Sequence, residues 1–305
     1  MMHKLFFLSL IIFISCQSNN NDTPIENETV KLTISNSDND QILLSEVISN
    51  LEYKILKTPD DLLIGNVRKI ISNKKYYGFL DLAKKSIWIF DKNLAFVNEI
   101  LIPSGRGPEQ LEYLSDISFG DNHNVYALGL YKILEFDLYT GFEREIRIQP
   151  QLYKFTYDSL NSNFIGYMNN SVSPHNTESD VSYNLVYINL NGEMVEKKLP
   201  IDQRISNLKF LHFDNFPSFN NEQLFFSYLD LNVYSLTNNE FNVKYSLEFE
   251  TDGLNETILN KSENYSRNRD FLTNEIIDKE IARSIATFVE TDSIIFCRGL
   301  VKHSI

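Results

Sequence analysis

The segment from Gly105 to Glu109 reads Gly-Arg-Gly-Pro-Glu, and its residue types are the first in the chain to suggest ligand binding. Glycine-rich loops can cradle phosphates, but a P-loop needs Gly-x-x-x-x-Gly-Lys-Ser/Thr leading into a helix, and the lysine is missing here. Gly105 and Gly107 instead favour a tight crossing between strands, with Pro108 fixing one backbone angle. If this crossing faces a binding channel, Arg106 and Glu109 are the side chains able to contact a ligand.

Metal-binding and catalytic motifs are incomplete or missing in the sequence. Asn36, Asp38 and Asp40 have the spacing that opens a calcium-binding loop. The sixth position, however, is Gln41 instead of glycine, and the twelfth is Val47 instead of glutamate. The histidines do not show metal-ligand spacing, and neither Gly-x-Ser-x-Gly nor His-Glu-x-x-His occurs. We therefore predict no catalytic residue, no metal site and no cofactor.

Two apolar features are predicted to be structural. Cys297 ends the apolar run Ile294-Ile295-Phe296-Cys297, which favours a buried and unreactive thiol. Phenylalanines are concentrated between residues 210 and 226, where they could form a sugar-stacking surface. We favour the alternative that most of them pack between sheets, because large side chains are needed to fill that space.

Two short segments concern modification. Asp158-Ser159-Leu160 and Asp292-Ser293-Ile294 resemble the Asp-Ser/Thr-apolar motif at which Bacteroidetes O-glycosylate proteins. Three-residue patterns often arise by chance, so Ser159 and Ser293 are carried only as candidate O-glycosylation sites.

The N-terminus has the pattern of a targeting signal. Residues 1–15 combine a cationic start, an apolar run over 5–14 and a small residue, Ser15. The run is shorter than the roughly 20 apolar residues that span a bilayer. Cys16 follows where a bacterial lipoprotein carries its acylated cysteine, and the preceding residues resemble a lipobox with Phe13 in place of leucine. We predict a lipoprotein signal peptide over 1–15 and a lipid on Cys16; the alternative is an ordinary cleaved signal.

The segment that follows, residues 16–40, is polar and contains few apolar residues, which predicts a flexible tether. The expected location is the cell envelope, as an outer-membrane or periplasmic lipoprotein that can also face the cell surface. Attachment would depend on the acyl chains, because the acidic chain would repel an anionic membrane surface.

Composition limits the classes of function. The 305 residues include 28 Lys and Arg against 41 Asp and Glu, a formal net charge of −13, which argues against nucleic-acid binding. Hydrophobic residues make up 43% of the chain, enough for a large packed core. Only two cysteines occur, so a disulfide scaffold is excluded.

From about residue 50 onward, the chain repeats a unit of about 48 residues. In each copy an apolar strand runs into a turn residue and an alternating strand leaves it; the turn residues are Asp91, Asp137, Asn189 and Thr237. An earlier strand pair completes each unit, and four strands per unit of 40 to 50 residues is the period of a β-propeller blade. A β-sandwich need not repeat at this interval. The predicted fold class is therefore all-β, a β-propeller of four-stranded blades.

The segment Gly105 to Glu109, which follows the outer strand of the first unit, resembles the Gly-x-Gly-Pro-x-Glu signature of Bacteroidetes six-bladed, TolB-like propeller lipoproteins. In that family the sixth position is usually glutamate, whereas here Gln110 occupies it and Glu109 comes one place earlier. The likeness covers about residues 41–300 and implies six blades. The chain supplies four full units and half of a fifth, so we predict an incomplete six-bladed-type propeller over 41–305, truncated at its C-terminal end.

A short helical insertion is predicted near residues 266–286. Leu272, Ile276, Ile277, Ile281 and Ile285 fall at helical spacing there, between the fourth unit and the partial fifth.

Three hypotheses for function remain open. The favoured one is a non-enzymatic, lipid-anchored scaffold that binds a protein, peptide or glycan. The second is a propeller enzyme, a lyase or hydrolase, with polar groups converging on a central channel. An enzyme should have ionisable groups with shifted pKa values in that channel, whereas a scaffold should have an apolar or aromatic surface. The third is a truncated paralogue without function.

Overall fold

β-Strands built from alternating and apolar segments dominate the computed structural model of the chain. The structure describes residues 10–13, 29–34, 51–59, 63–172, 182–206, 208–210, 214–220, 222–236, 240–249, 256–265, 267–279, 284–292 and 294–300. The predictions for Cys16, Ser293 and the segment from Asn36 to Asp40 lie outside these ranges. Contacts divide the chain into two units, residues 52–201 on the one hand and residues 1–51 with 202–305 on the other.

Residues 52–201 form three four-stranded antiparallel sheets, each in chain order. The first contains β3 (Val67–Ser72), β4 (Tyr76–Asp81), β5 (Ser86–Asp91) and β6 (Phe96–Leu101). The second contains β7 (Asp116–Phe119), β8 (Asn124–Leu128), β9 (Lys132–Asp137) and β10 (Gly141–Arg147). The third contains β11 (Lys154–Asp158), β12 (Asn163–Tyr167), β13 (Tyr183–Asn189) and β14 (Met194–Pro200).

The turn residues of the repeat close the last hairpin of each of these sheets. Asp91 Oδ1 accepts hydrogen bonds from the main-chain N–H groups of residues 93 and 95, and Asp137 Oδ1 from those of residues 139 and 140. Asn189 Oδ1 does the same for residues 191 and 193. Asp and Asn are therefore used at this position because their short side chains bond the turn's own backbone. Thr237, the fourth turn residue, lies outside the described residues.

Two apolar clusters join the three sheets. One is shared by the first and second sheets and includes Leu80, Ile87, Ile117 and Leu134. The other is shared by the second and third sheets and includes Leu128, Ile133, Phe155, Phe164 and Val186. The first strands of the sheets, β3, β7 and β11, also contact one another and are called the inner strands below.

The second unit contains a five-stranded and a three-stranded sheet. The five-stranded order is β15-β16-β17-β18-β2 and the three-stranded order is β1-β20-β19. The strands are β1 (Leu10–Phe13), β2 (Val30–Ile34), β15 (Ser218–Phe219), β16 (Glu222–Phe225), β17 (Asn232–Ser235), β18 (Asn242–Phe249), β19 (Ser284–Glu290) and β20 (Ile294–Leu300). Both sheets contribute to one core, with Leu32, Leu247, Phe288 and Cys297 among its members.

Two of these strands occupy segments for which the sequence predicted other roles. β2 lies within the predicted tether and pairs in parallel with β18, because alternation in Val30–Ile34 turns Leu32 into the core, where it is 2% exposed. The tether prediction was therefore wrong for these five residues. β1 lies within the predicted signal peptide and pairs antiparallel with β20.

The helical insertion is confirmed, with earlier limits than predicted. It comprises α1 (Glu256–Asn260), a 3₁₀ turn (Lys261–Asn264), α2 (Asn268–Phe271) and a π-helical turn (Leu272–Ile277). Ile258, Phe271 and Ile276 are buried against Leu208 and Phe210. Ile285, which the helical spacing had included, is instead buried in β19. No helix in the described ranges is long and apolar enough to cross a membrane.

The fourth sheet differs from expectation at its start. Residues 211–213, the predicted first strand, lie outside the described residues, and Ser218–Phe219 is the first strand of this sheet. Phe216, Phe225 and Phe226 are buried, which confirms that these phenylalanines pack in the interior instead of forming a sugar-stacking surface. Four four-stranded blades and the hairpin β19–β20 are thus present in the described part of the chain.

Candidate functional site

Three charged side chains meet on the inner strands of the first three sheets, and we call them the central ion cluster. Lys69 on β3 places its Nζ 2.8 Å from Asp116 Oδ1 on β7, and Lys154 on β11 places its Nζ 3.8 Å from the same oxygen. The side chains of Lys69, Asp116 and Lys154 are 9%, 0% and 7% exposed. Carboxylates and ammonium groups are seldom buried to this extent unless they are paired.

The same inner strands are joined by side-chain to main-chain bonds. β11 is the edge of its sheet, so the N–H groups on its open side need acceptors from outside the sheet. Asp116 Oδ2 accepts the N–H of Phe155 at 3.0 Å, and Ser118 Oγ accepts the N–H of Tyr157 at 3.0 Å. Both oxygens of Asp116 are thus occupied in a fully buried position. The cluster therefore links neighbouring blades and does not present Asp116 to a ligand.

Tyr157 extends these contacts towards the end of the inner strand. Its hydroxyl donates a 2.6 Å hydrogen bond to Asp121 Oδ2. Burial, assisted by this bond, raises the pKa of Tyr157 to about 12. The hydroxyl therefore stays protonated at neutral pH and acts as a hydrogen-bond donor.

A second polar group surrounds Glu135 on β9, within the outer three strands of the second sheet. Glu135 Oε1 accepts bonds from Asn124 Nδ2 at 2.6 Å and Tyr126 Oη at 3.1 Å, and Oε2 accepts one from Arg144 Nε at 2.6 Å. Burial, with the nearby charge of Glu135, raises the pKa of Tyr126 well above its usual value. The network fixes Arg144 across the face of the β9–β10 hairpin.

An open cleft of about 430 Å³ lies over this network. It is lined by Asn124, Glu135, Asp137, Thr140, Glu143 and Arg144. Bonds from the N–H groups of residues 139 and 140 hold the pKa of Asp137 below its ordinary value, so its carboxylate is charged at neutral pH. Three carboxyl groups and one guanidinium make this cleft suited to hydroxyl or ammonium groups of a ligand. Its place on the outer strands separates it from the inner strands.

The glycine-proline loop predicted from the sequence connects β6 to β7. Gln110 Oε1 accepts the N–H of Gly107 at 3.0 Å, and Lys132 Nζ donates to the Gly107 carbonyl at 2.7 Å. Gly105 has φ +149°, which favours glycine at this position. The loop is thus held by Gln110 from within and by Lys132 from the neighbouring hairpin. Sequence reasoning missed both residues, although Gln110 occupies the sixth position of the signature.

The two ligand-facing candidates on this loop are both at the surface. Arg106 donates from Nε to Glu112 Oε1 at 2.6 Å, and its side chain is 84% exposed. Glu109 is also exposed, but the structure pairs Arg106 with Glu112 and not with Glu109. Pro108 is exposed between them.

The remaining candidate residues lie in an exposed turn and in a buried strand. Ser159 is in the exposed turn between β11 and β12, where Asp158 Oδ1 accepts the N–H of Leu160. Cys297 is buried, and burial raises the pKa of its thiol to about 12, which confirms the prediction of a buried thiol. Within the described ranges, no three His, Cys, Asp or Glu side chains are grouped to hold a metal ion.

Four-stranded antiparallel blades that pack side by side through apolar clusters, with their first strands adjacent, define a β-propeller. A family model described as a domain of unknown function, DUF4934, matches residues 27–304. The chain therefore belongs to the DUF4934 family.

Several solved structures are similar to the chain, and the first of them supports the fold. The "putative exported protein" of Bacteroides fragilis NCTC 9343 has a TM-score of 0.65 and 20% identity, over 88% of this chain and 73% of its own. A member of the duf4221 family from Bacteroides vulgatus ATCC 8482 has a TM-score of 0.38 and 14% identity, over 58% and 57%. A protein of unknown function from Bacteroides caccae has a TM-score of 0.37 and 10% identity, over 73% and 67%. No curated protein matches the chain.

Proposed function

We propose that the protein is a lipid-anchored binding or scaffold module of the cell envelope, a propeller of the six-bladed TolB-like type. The name of the similar Bacteroides fragilis protein as an exported protein supports an envelope or periplasmic location. The signal pattern over 1–15 supports attachment through Cys16. The partner would be a protein, peptide or glycan.

The observation that carries the binding role is a run of exposed large apolar side chains. Tyr53 and Ile55 are 87% and 88% exposed, Leu63 is 72% exposed, and Ile70 on β3 is 57% exposed. Monomeric proteins seldom keep large apolar surfaces in water, and those that persist often mark interaction sites. Within the proposed range of partners, this surface favours a protein or peptide over a glycan.

Site-directed photo-crosslinking tests the binding role. Benzoylphenylalanine at position 53 or 55 is expected to give a discrete crosslinked product in envelope preparations, because these side chains would lie at the interface. Tyr139, which is 62% exposed on the β9–β10 turn, is the matched control position and should give none. Identical products at all three positions, or none at 53 and 55, would argue against the proposal.

Membrane attachment is tested separately by Cys16→Ser. The substitution removes the only thiol at the proposed processing site, so the protein is expected to move from the membrane to the soluble fraction. Fractionation followed by immunoblotting measures the distribution, and Cys297→Ala is the control that should leave it unchanged. A Cys16→Ser protein that stays with the membrane would contradict lipid anchoring.

The enzyme hypothesis is less well supported. It requires ionisable groups on the inner strands that can contact a substrate, and Lys69, Asp116 and Lys154 do converge there. They are buried against one another, however, with both Asp116 oxygens occupied, which favours a structural role for them. Extensive apolar cores in both units also favour a folded, working protein over a functionless truncated paralogue.

A further inference from the structure

Strand β20 has a neighbour on each side, but the two neighbours differ in kind. On one side β19 forms a hairpin with it, and Glu290 lies opposite Ile295 there. On the other side lies β1, with Leu10 opposite Cys297 and Phe13 opposite Ile294. β1 comes from the predicted signal peptide, so lipoprotein processing before Cys16 would remove it.

The hydrogen bonds of the hairpin show which β20 groups face β1. The main-chain N–H and C=O of Ile294 both bond Thr291, so they point towards β19. Main-chain groups of successive residues alternate between the two sides of a strand. The N–H and C=O groups of Ile295 and Cys297 therefore face β1, opposite Ile12 and Leu10.

The side chains along this edge are apolar. Residues 294–297 read Ile-Ile-Phe-Cys, and the strand they contact reads Leu-Ile-Ile-Phe. Cys297 is buried in the core that also holds Phe288, and Ile295 packs against that core. Protected edges commonly carry lysine, proline or a bulge, and residues 294–297 contain neither lysine nor proline.

We propose that the β20 edge is a strand-addition site that binds an extended, uncharged apolar segment of a partner protein after residues 1–15 are removed. Before processing, β1 occupies the site in the same chain. The seated β1 shows the chemistry that the edge accepts: a short apolar strand in antiparallel register, held by main-chain bonds at Ile295 and Cys297. This inference rests on the proposed envelope function, because it requires removal of the signal peptide.

The test uses the full chain with β1 displaced. Ile12→Pro removes the amide that faces Ile295 and should release β1 from the edge. The probe is the fluorescein-labelled peptide Lys-Lys-Leu-Ile-Ile-Phe-Lys-Lys, followed by anisotropy. We expect about tenfold tighter binding to Ile12→Pro than to the unaltered chain, whose edge is occupied.

Two controls make the result specific. A peptide N-methylated at its second isoleucine lacks the pairing amide and should bind at least about tenfold more weakly, without any change in the protein. Ile295→Val in the Ile12→Pro background keeps the main-chain bonds and should bind as Ile12→Pro does. Hydrogen exchange at Ile295 and Cys297 should accelerate in Ile12→Pro and slow again with peptide.

The contrary outcomes are distinct. Fast exchange at Ile295 and Cys297 without peptide binding, or equal binding of the N-methylated peptide, would overturn the proposal. Concentration-dependent dimerisation of Ile12→Pro in place of peptide binding would show that a second copy is the occupant, and would overturn a partner protein. None of these results alters the crosslinking expected at Tyr53 and Ile55, so the proposed function is tested independently.

Discussion

Asp116→Ala is expected to lower the free energy of unfolding by about 3–5 kcal/mol, because it leaves buried ammonium groups without their carboxylate. Lys69 and Lys154 both lie beside Asp116 with side chains less than 10% exposed. The N–H of Phe155 would also lose its acceptor. Urea denaturation followed by tryptophan fluorescence measures the change.

Arg106→Ala is the matched control for Asp116→Ala. It breaks the ion pair with Glu112 at the surface, so it should cost less than about 1 kcal/mol. Adding Lys69→Met and Lys154→Met to Asp116→Ala should recover part of the loss, because the uncompensated charges are then gone. Similar losses for Asp116→Ala and Arg106→Ala would show that the cluster does not join the blades as described.

Gly192→Ala is the second substitution expected to be costly. Gly192 closes the β13–β14 turn with φ +85°, and a Cβ there would overlap the carbonyl oxygen of Arg147 on β10. The clash is with backbone, so the third blade would have to move relative to the second. We expect about 1–2 kcal/mol from the backbone angle and a further 1–3 kcal/mol from the overlap.

Gly141→Ala separates these two contributions. Gly141 is at the start of β10, in the corresponding turn of the preceding blade, with φ +92° and no heavy atom within 4 Å of the place that a Cβ would take. It should therefore cost only the backbone-angle part, about 1–2 kcal/mol. Equal unfolding free energies for the two alanine variants would contradict the close approach at Arg147.

The strands and their turns could be predicted from the sequence because the signals are local. β3, β4 and β7 have the predicted limits, since alternation and turn residues act within a few positions. Asp91, Asp137 and Asn189 bond their own turns, which also requires no distant partner.

What could not be predicted depends on contacts between distant segments. β2 looked like part of a polar tether, because only its pairing with β18, more than 200 residues away, gives Leu32 a core to enter. Asp116 looked like an ordinary first residue of a strand, because its two lysines come from other blades. The loop signature directed attention to Arg106 and Glu109, whereas the bond that shapes the loop comes from Gln110.

The parallel pairing of β2 with β18 sets how far the protein could stand from a bilayer. If Cys16 bears the proposed lipid, only the short stretch from there to Val30 separates the acyl chains from a sheet of the propeller. Fully extended, that stretch spans at most about 50 Å. Such a leash confines the propeller to a thin shell above the lipid headgroups, so its partners would be molecules that share the same membrane surface.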